Sequence, residues 1–83
     1  MEKILVKLRV PVIQNSYDLL VNPDMNIGEL TKVLAKSVDD LSGGKYVPSG
    51  MEMLNQITPD ILLDSGKSLR IYGIRDGDEL ALI

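Results

Sequence analysis

Three groups of side chains have the residue types and spacing that chemistry uses. Gly66-Lys67-Ser68 reads like the end of a phosphate-binding loop, in which backbone N–H groups and a lysine hold phosphate oxygens. Lys67 beside Ser68 supplies the two residue types of a Ser–Lys nucleophile pair. Asp76, Asp78 and Glu79 bring three carboxylates close together, the oxygen donors that a hard cation takes.

Each has a plainer reading that the surrounding sequence favours. A phosphate loop needs a glycine five residues before Gly66, where Ile61 stands, and a long helix after its serine. Here only one helical turn around Leu69 is expected. Sequence neighbours rarely gain the oriented contact a nucleophile needs from its base, so Lys67 and Ser68 read as turn residues in water. A calcium loop wraps several oxygens around one ion, whereas Asp76-Gly77 reads as a strand-entry turn with solvated carboxylates. The chain has no His and no Cys, which removes most nucleophile–base designs and any thiolate–metal framework. With no cofactor motif present either, the expectation is a non-catalytic protein with no metal and no cofactor.

Composition narrows the class further. The 83 residues support one domain, 1–83, with roughly 60–65% of the unfolded surface buried on folding. Hydrophobic content of 45% against 25% charged residues is that of a globular chain rather than a disordered one. Phe and Trp are absent, so Ile, Leu, Val and Met must build the core around three Tyr. A net charge of −3 without clustered Lys and Arg argues against nucleic-acid binding. The charged N-terminal stretch is no signal peptide, and no apolar run approaches the ~20 residues of a membrane span. A cytoplasmic protein without direct membrane insertion is expected.

The elements that position these residues follow from periodicity. Ile4, Val6, Leu8 and Val10 alternate with Lys3, Leu5, Lys7 and Arg9, the period of a half-buried strand. After Pro11 and a short connection, Tyr17, Leu19 and Val21 alternate with Asp18 and Leu20, so the two runs form an antiparallel hairpin. Asn26 followed by Glu29 is a capping box. Ile27, Leu30, Leu34, Val38 and Leu41 then make one helical stripe, with Val33 at its edge and Lys32 and Lys36 in water. Ser42-Gly43-Gly44 stops the helix. A third strand is expected over Met51–Gln56 with Met51 and Met53 inward and Leu54 outward, and a short fourth one over Ile61–Leu63. A closing strand buries Leu80 and Leu82 and turns Glu79 and Ala81 out. The class is α+β: a four- to five-stranded mixed sheet with one helix packed on one face.

Leu63, Asp64, Gly66, Leu69, Tyr72, Ile74, Leu80 and Leu82 resemble the C-terminal half of ubiquitin-like β-grasp domains, with the Asp and Gly one place displaced across the turn. The Tyr17-Asp18-Leu19-x-Val21 run and Ile74-x-Asp76-Gly77-Asp78-x-Leu80-x-Leu82 are similar to the YukD-like family, the small ubiquitin-like component of bacterial type VII (WXG100) secretion systems. The resemblance implies a β-grasp fold and a non-covalent protein–protein interaction module, accessory or regulatory to that secretion machinery. Its partner would be a protein, with self-association left open. Members of the superfamily commonly bind through an apolar patch on the sheet face opposite the helix. Here that implies Leu5, Leu54, Ala81 and Ile83, flanked by Lys7 and Arg9, with Leu20 more peripheral.

Conjugated relatives and sulfur carriers of this fold extend past the last strand into a tail ending Gly-Gly. Ala81-Leu82-Ile83 keep the strand pattern, and Gly43-Gly44 is internal. The expectation is therefore a protein that is not conjugated. The alternative is a ubiquitin-like modifier or sulfur carrier whose Gly-Gly tail lies beyond Ile83.

Overall fold

The computed structural model describes residues 2–83. Strand β1 (Ile4–Val10) alternates buried and exposed along its whole length, as its period-two sequence dictates. Pro11 ends it by removing a ladder donor, and a 3-10 turn over Pro11–Ile13 leads through Gln14 into β2 (Asn15–Val21). The two strands pair antiparallel, Ile4 opposite Val21 through Val10 opposite Asn15.

Helix α1 (Ile27–Leu41) starts where Asn26 accepts the Glu29 N–H on its side chain, satisfying one of the free donors of the first turn. The distant segment between Leu62 and Glu79 satisfies two more: the carbonyls of Lys67 and Ser65 accept from Ile27 and Gly28 at 2.8 and 3.0 Å. That close approach is why residue 28 is glycine. A Cβ there would stand 3.0 Å from Asn26 Oδ1 and 3.4 Å from Ser65. Gly43 and Gly44, both at positive φ, end the helix.

The chain then runs through β3 (Leu54–Gln56), β4 (Ile61–Leu62) and β5 (Glu79–Leu82), giving a single sheet in the order β2-β1-β5-β3-β4. The last strand thus enters the middle, parallel to β1 and antiparallel to β3. The core lies between sheet and helix: Val6, Leu8, Val10, Leu54, Leu80 and Leu82 face Leu30, Leu34 and Val38. Leu69 and Ile74 plug one end, and each such aliphatic contributes about 1.5–3 kcal/mol through burial.

Three expectations need correction. Leu54 is buried, with 1% of its surface exposed, whereas Met51 and Met53 point to solvent. The register explains this, since Leu54 pairs with Leu82, whose side chain is inward. A shift of one residue moves every side chain to the other face. The inward parity also falls on Glu52, whose carboxylate is satisfied by the Tyr46 hydroxyl and by the N–H groups of Ser49 and Gly50. At the helix C-terminus Leu41 is 55% exposed, and Thr31 and Ala35 are buried beside the stripe instead. Thr31 is admitted because its hydroxyl donates to the Ile27 carbonyl at 2.7 Å. Finally, β3 is only three residues long, the chain from 45 to 53 being a loop.

Candidate functional site

The candidate chemical residues are each occupied in holding the fold. Lys67 places its ammonium 5.8 Å from the centre of the Tyr72 ring, within cation–π range. Ser68 Oγ accepts from the Ile71 N–H at 3.4 Å. The two side chains are therefore turned to different partners. Asp64 Oδ1 accepts from the Gly66 N–H, and the Tyr72 hydroxyl accepts from the Asp64 N–H, so the Gly66-Lys67-Ser68 backbone is tied into this turn.

The three carboxylates diverge in the same way. Asp76 accepts the Leu5 N–H at 2.6 Å, Asp78 accepts the Arg75 N–H at 2.8 Å, and Glu79 receives both contacts of the Arg9 guanidinium. Among the described residues no three His, Cys, Asp or Glu side chains are grouped to hold a metal.

The sheet face opposite α1 carries the expected binding residues, but in two separate places. Leu5 is exposed and lies opposite Leu20 on β2. Ile83 is 54% exposed and exchanges two backbone hydrogen bonds with Met53, itself exposed. The parallel register sets Lys7 beside Glu79 and Arg9 beside Ala81. Leu5 and Ile83 are therefore about six residues apart along the sheet, or roughly 20 Å. Between them runs a charged band: Lys7 opposite Asp18, and Arg9 bound to Glu79 at 3.0 Å. Ala81 does project to this face, but with 9% exposure it is sunk between Arg9 and Asn55. Leu54 belongs to the core and leaves the set.

At the Ile83 end the surface is larger than the sequence suggested. Val12 on the 3-10 turn, Val47 and Met51 on the loop after α1, Met53 and Ile83 are all exposed. Four of them, with Tyr46, line a groove of about 570 Å³. The 3-10 turn and the loop after α1 thus bring these exposed apolar side chains together beside the end of β5. The wall of the groove is set by Tyr46, whose hydroxyl donates to Glu52 at 2.6 Å. Burial and the neighbouring carboxylate both push the Tyr46 hydroxyl pKa up. For Glu52, burial favours the neutral acid, but the bonds from Tyr46 and the loop N–H groups outweigh it and hold the pKa below the usual carboxylate range. The Glu52 charge is thus consumed internally. Lys45, also lining the groove, makes no ion pair among the described residues.

Periodicity could not reveal Val12, Val47 and Met51, because two irregular segments bring them together. The unusual number of residues between Gly44 and Leu54 was the available signal.

Sheet order, the helix across one face and the central parallel closing strand define a ubiquitin-like β-grasp domain. Solved structures agree. The chain is similar to the ubiquitin-like domain of Plasmodium falciparum Dsk2, at 26% identity and a TM-score of 0.72, covering 98% of this chain and 96% of that one. It is similar to the ubiquitin of Caldiarchaeum subterraneum, at 20% identity and 0.69, over 99% and 92%. The ubiquitin-like domain of EccD5 from Mycobacterium xenopi matches at 19% identity and 0.73, over 100% and 94%. No protein-family model and no curated protein matches the chain.

Proposed function

We propose that the domain is a non-catalytic adaptor that docks a protein partner, without covalent transfer, through the apolar groove at the Ile83 end of its sheet. The observation that carries this reading is the joining of Val12, Val47, Met51, Met53 and Ile83 into one exposed surface around a groove of about 570 Å³. The chemistry of the surface describes what fits it. An aliphatic or aromatic anchor fills the groove, and an acidic residue beside that anchor meets Lys45 and, further along the sheet, Lys7. Such an anchor gains most of its affinity from the central pocket, with the charged rim setting orientation and rate. The resemblance of Tyr17-Asp18-Leu19-x-Val21 and the Ile74–Leu82 run to YukD-like proteins supports a component of type VII secretion machinery as that partner. The domain then serves that machinery as an accessory or regulatory part.

The test is co-expression with the small helical WXG100 proteins and the membrane ATPase of such a system. Affinity capture of the wild-type domain is expected to retain at least one of them. Ile83→Asp and Met51→Asp should each lose it while melting within a few degrees of wild type. Leu5→Asp, at the far end of the face, should retain it. Equal capture by wild type and both groove variants overturns the groove as the docking site. Failure of the wild-type domain to retain any component overturns the assignment to this machinery.

A further inference from the structure

The two edges of the sheet are built differently. At one edge β4 is two residues long, Ile61–Leu62, and a very short edge strand is one of the ways proteins blunt unwanted pairing. At the other edge β2 runs for seven residues, Asn15–Val21. From Ser16 to Val21 it carries no Pro, no Gly and no Lys, and its one charge is Asp18.

The direction of its free hydrogen-bonding groups can be worked out. Leu5 and Lys7 of β1 send their N–H groups toward the β5 side, to Asp76 Oδ1 and the Asp78 carbonyl, and the Leu5 carbonyl accepts from Gly77. Their neighbours Ile4, Val6 and Leu8 therefore bond the other way, to Val21, Leu19 and Tyr17. It follows that Ser16, Asp18 and Leu20 present their N–H and C=O groups outward. The Ser16 N–H is taken by the Asn15 side chain at 2.9 Å. The N–H groups of Asp18 and Leu20 have no partner among the described residues.

Both faces beside this edge are apolar. On the outer face Leu20, well exposed, stands next to Leu5. On the inner face Leu19 and Val33 line a groove of about 330 Å³ between β2 and α1. A free strand edge with apolar flanks on both sides wants another strand.

We propose that the occupant is a second copy of this chain, its β2 pairing antiparallel with the first about a two-fold axis through Leu19. The pattern of outward groups admits this register. Asp18 lies opposite the partner's Leu20 and Leu20 opposite the partner's Asp18, so the free N–H groups of both find carbonyls. On the inner face Leu19 meets its own copy, and Tyr17 meets the partner's Val21. On the outer face the two Leu20 side chains lie diagonally across the seam, each backed by its own Leu5. Charge selects this register over its neighbour. A shift of one bonding step toward the start of β2 sets Asp18 against the partner's Asp18, and like charges directly opposite are destabilising. In the chosen register each Asp18 keeps Lys7 as its cross-strand neighbour and faces an apolar residue. The contact is isologous and closes on itself, giving a continuous sheet across two copies. It leaves the Ile83 groove, at the opposite end of the outer face, open.

Sedimentation equilibrium on the whole chain tests this. The wild-type protein is expected to approach twice the monomer mass as concentration rises toward about 1 mM, the weak end of specific association. The Asp18 and Leu20 amides should exchange more slowly as it does so. Leu20→Asp sets like charges opposite at two places and should hold the protein at the monomer mass. Adding Asp18→Lys to it restores opposite charges in this register alone and should bring the dimer back. Circular dichroism melting establishes that both variants are folded. A wild-type mass that stays monomeric up to about 1 mM overturns the proposal, whether or not the edge accepts an extended peptide from another protein. So does a dimer that Leu20→Asp leaves intact.

Discussion

The Tyr46 hydroxyl donates a 2.6 Å hydrogen bond to Oε2 of Glu52, and the same oxygen accepts the Ser49 N–H at 2.7 Å while Oε1 accepts the Gly50 N–H at 3.0 Å. One carboxylate therefore folds the chain from 46 to 52 around itself and fixes one wall of the apolar groove.

This arrangement predicts a loss of stability on acidification that depends on Glu52. Its pKa is lowered in the folded protein, so its contribution is full above the unfolded glutamate value of about 4.3 and disappears as pH falls through the lower folded value. Glu52→Gln should be less stable than wild type at pH 7, and the gap should close as pH falls toward 3. Tyr46→Phe removes one charge-assisted bond and should cost about 1–2 kcal/mol at pH 7. Urea denaturation at a series of pH values checks both. A gap independent of pH would mean that the carboxylate charge does not hold the loop.

Much of this molecule is legible in its periodicity. The β1–β2 hairpin, the helix with its Asn26 cap and the closing strand each have enough repeats for one face to be assigned, and each stands where the sequence sets it. Strand β3 has three residues, too few for alternation to decide the phase. The expectation there rested on keeping the Glu52 charge outside. That rule fails when three donors reach the carboxylate at the end of a sheet. The same slip placed Leu54 on the binding face, though it is buried, and hid Met53, which is exposed there. Leu5 and Ile83 were legible because their strands alternate. The groove was not, since Val12, Val47 and Met51 meet only through the tertiary path of two irregular segments.

Leu54 and Met53 make opposite predictions for the same chemical change. Leu54 is fully buried against Leu82 and the core, so Leu54→Ala should cost about 2–4 kcal/mol as the cavity relaxes only in part. Met53 is about half exposed on the outer face, and Met53→Ala should cost less than about 1 kcal/mol, the range of surface substitutions. Chemical denaturation of the two variants measures this. The reverse ranking would restore the inverted phase of β3.

Asp24 and Arg70 join the turn after β2 to the loop between β4 and β5, with Nε 2.5 Å from Oδ1 and Nη2 3.1 Å from Oδ2. The guanidinium's hydrogen bonds hold the Asp24 carboxyl below its ordinary pKa against the opposing effect of burial, and its charge adds a smaller pull downward. Carboxyl-carbon NMR should find Asp24 titrating below an unpaired aspartate. Arg70→Ala should move that midpoint upward, and added salt should move it part of the way in wild type. Both groups are solvated, and pairs of this kind add little to stability. The melting temperature is expected to stay nearly unchanged, and an unmoved Asp24 midpoint in Arg70→Ala would exclude the pair in solution.

Asp76 acts where β5 joins the sheet. Its Oδ1 accepts the Leu5 N–H at 2.6 Å, while the Gly77 N–H donates to the Leu5 carbonyl at 2.7 Å. Both backbone groups of Leu5 are thus taken by the turn that precedes β5, one by a side chain and one by the main chain. Gly77 has φ +91 there, a conformation that glycine adopts without steric cost. The first residues of the parallel β1–β5 pair are therefore set by two adjacent residues of one turn. Asp76→Ala leaves the Leu5 donor without its partner and should cost about 1–2 kcal/mol, with faster amide exchange at Leu5 and little change in the β1–β2 ladder. Asp76→Asn keeps an acceptor in the same place and should recover about half of the loss. Gly77→Ala puts a Cβ into open space, so its penalty should come from the backbone alone, about 1 kcal/mol. Hydrogen exchange and urea denaturation of the three variants separate these terms. If Asp76→Ala and Asp76→Asn lost the same amount, the acceptor would not be what anchors Leu5 to this turn.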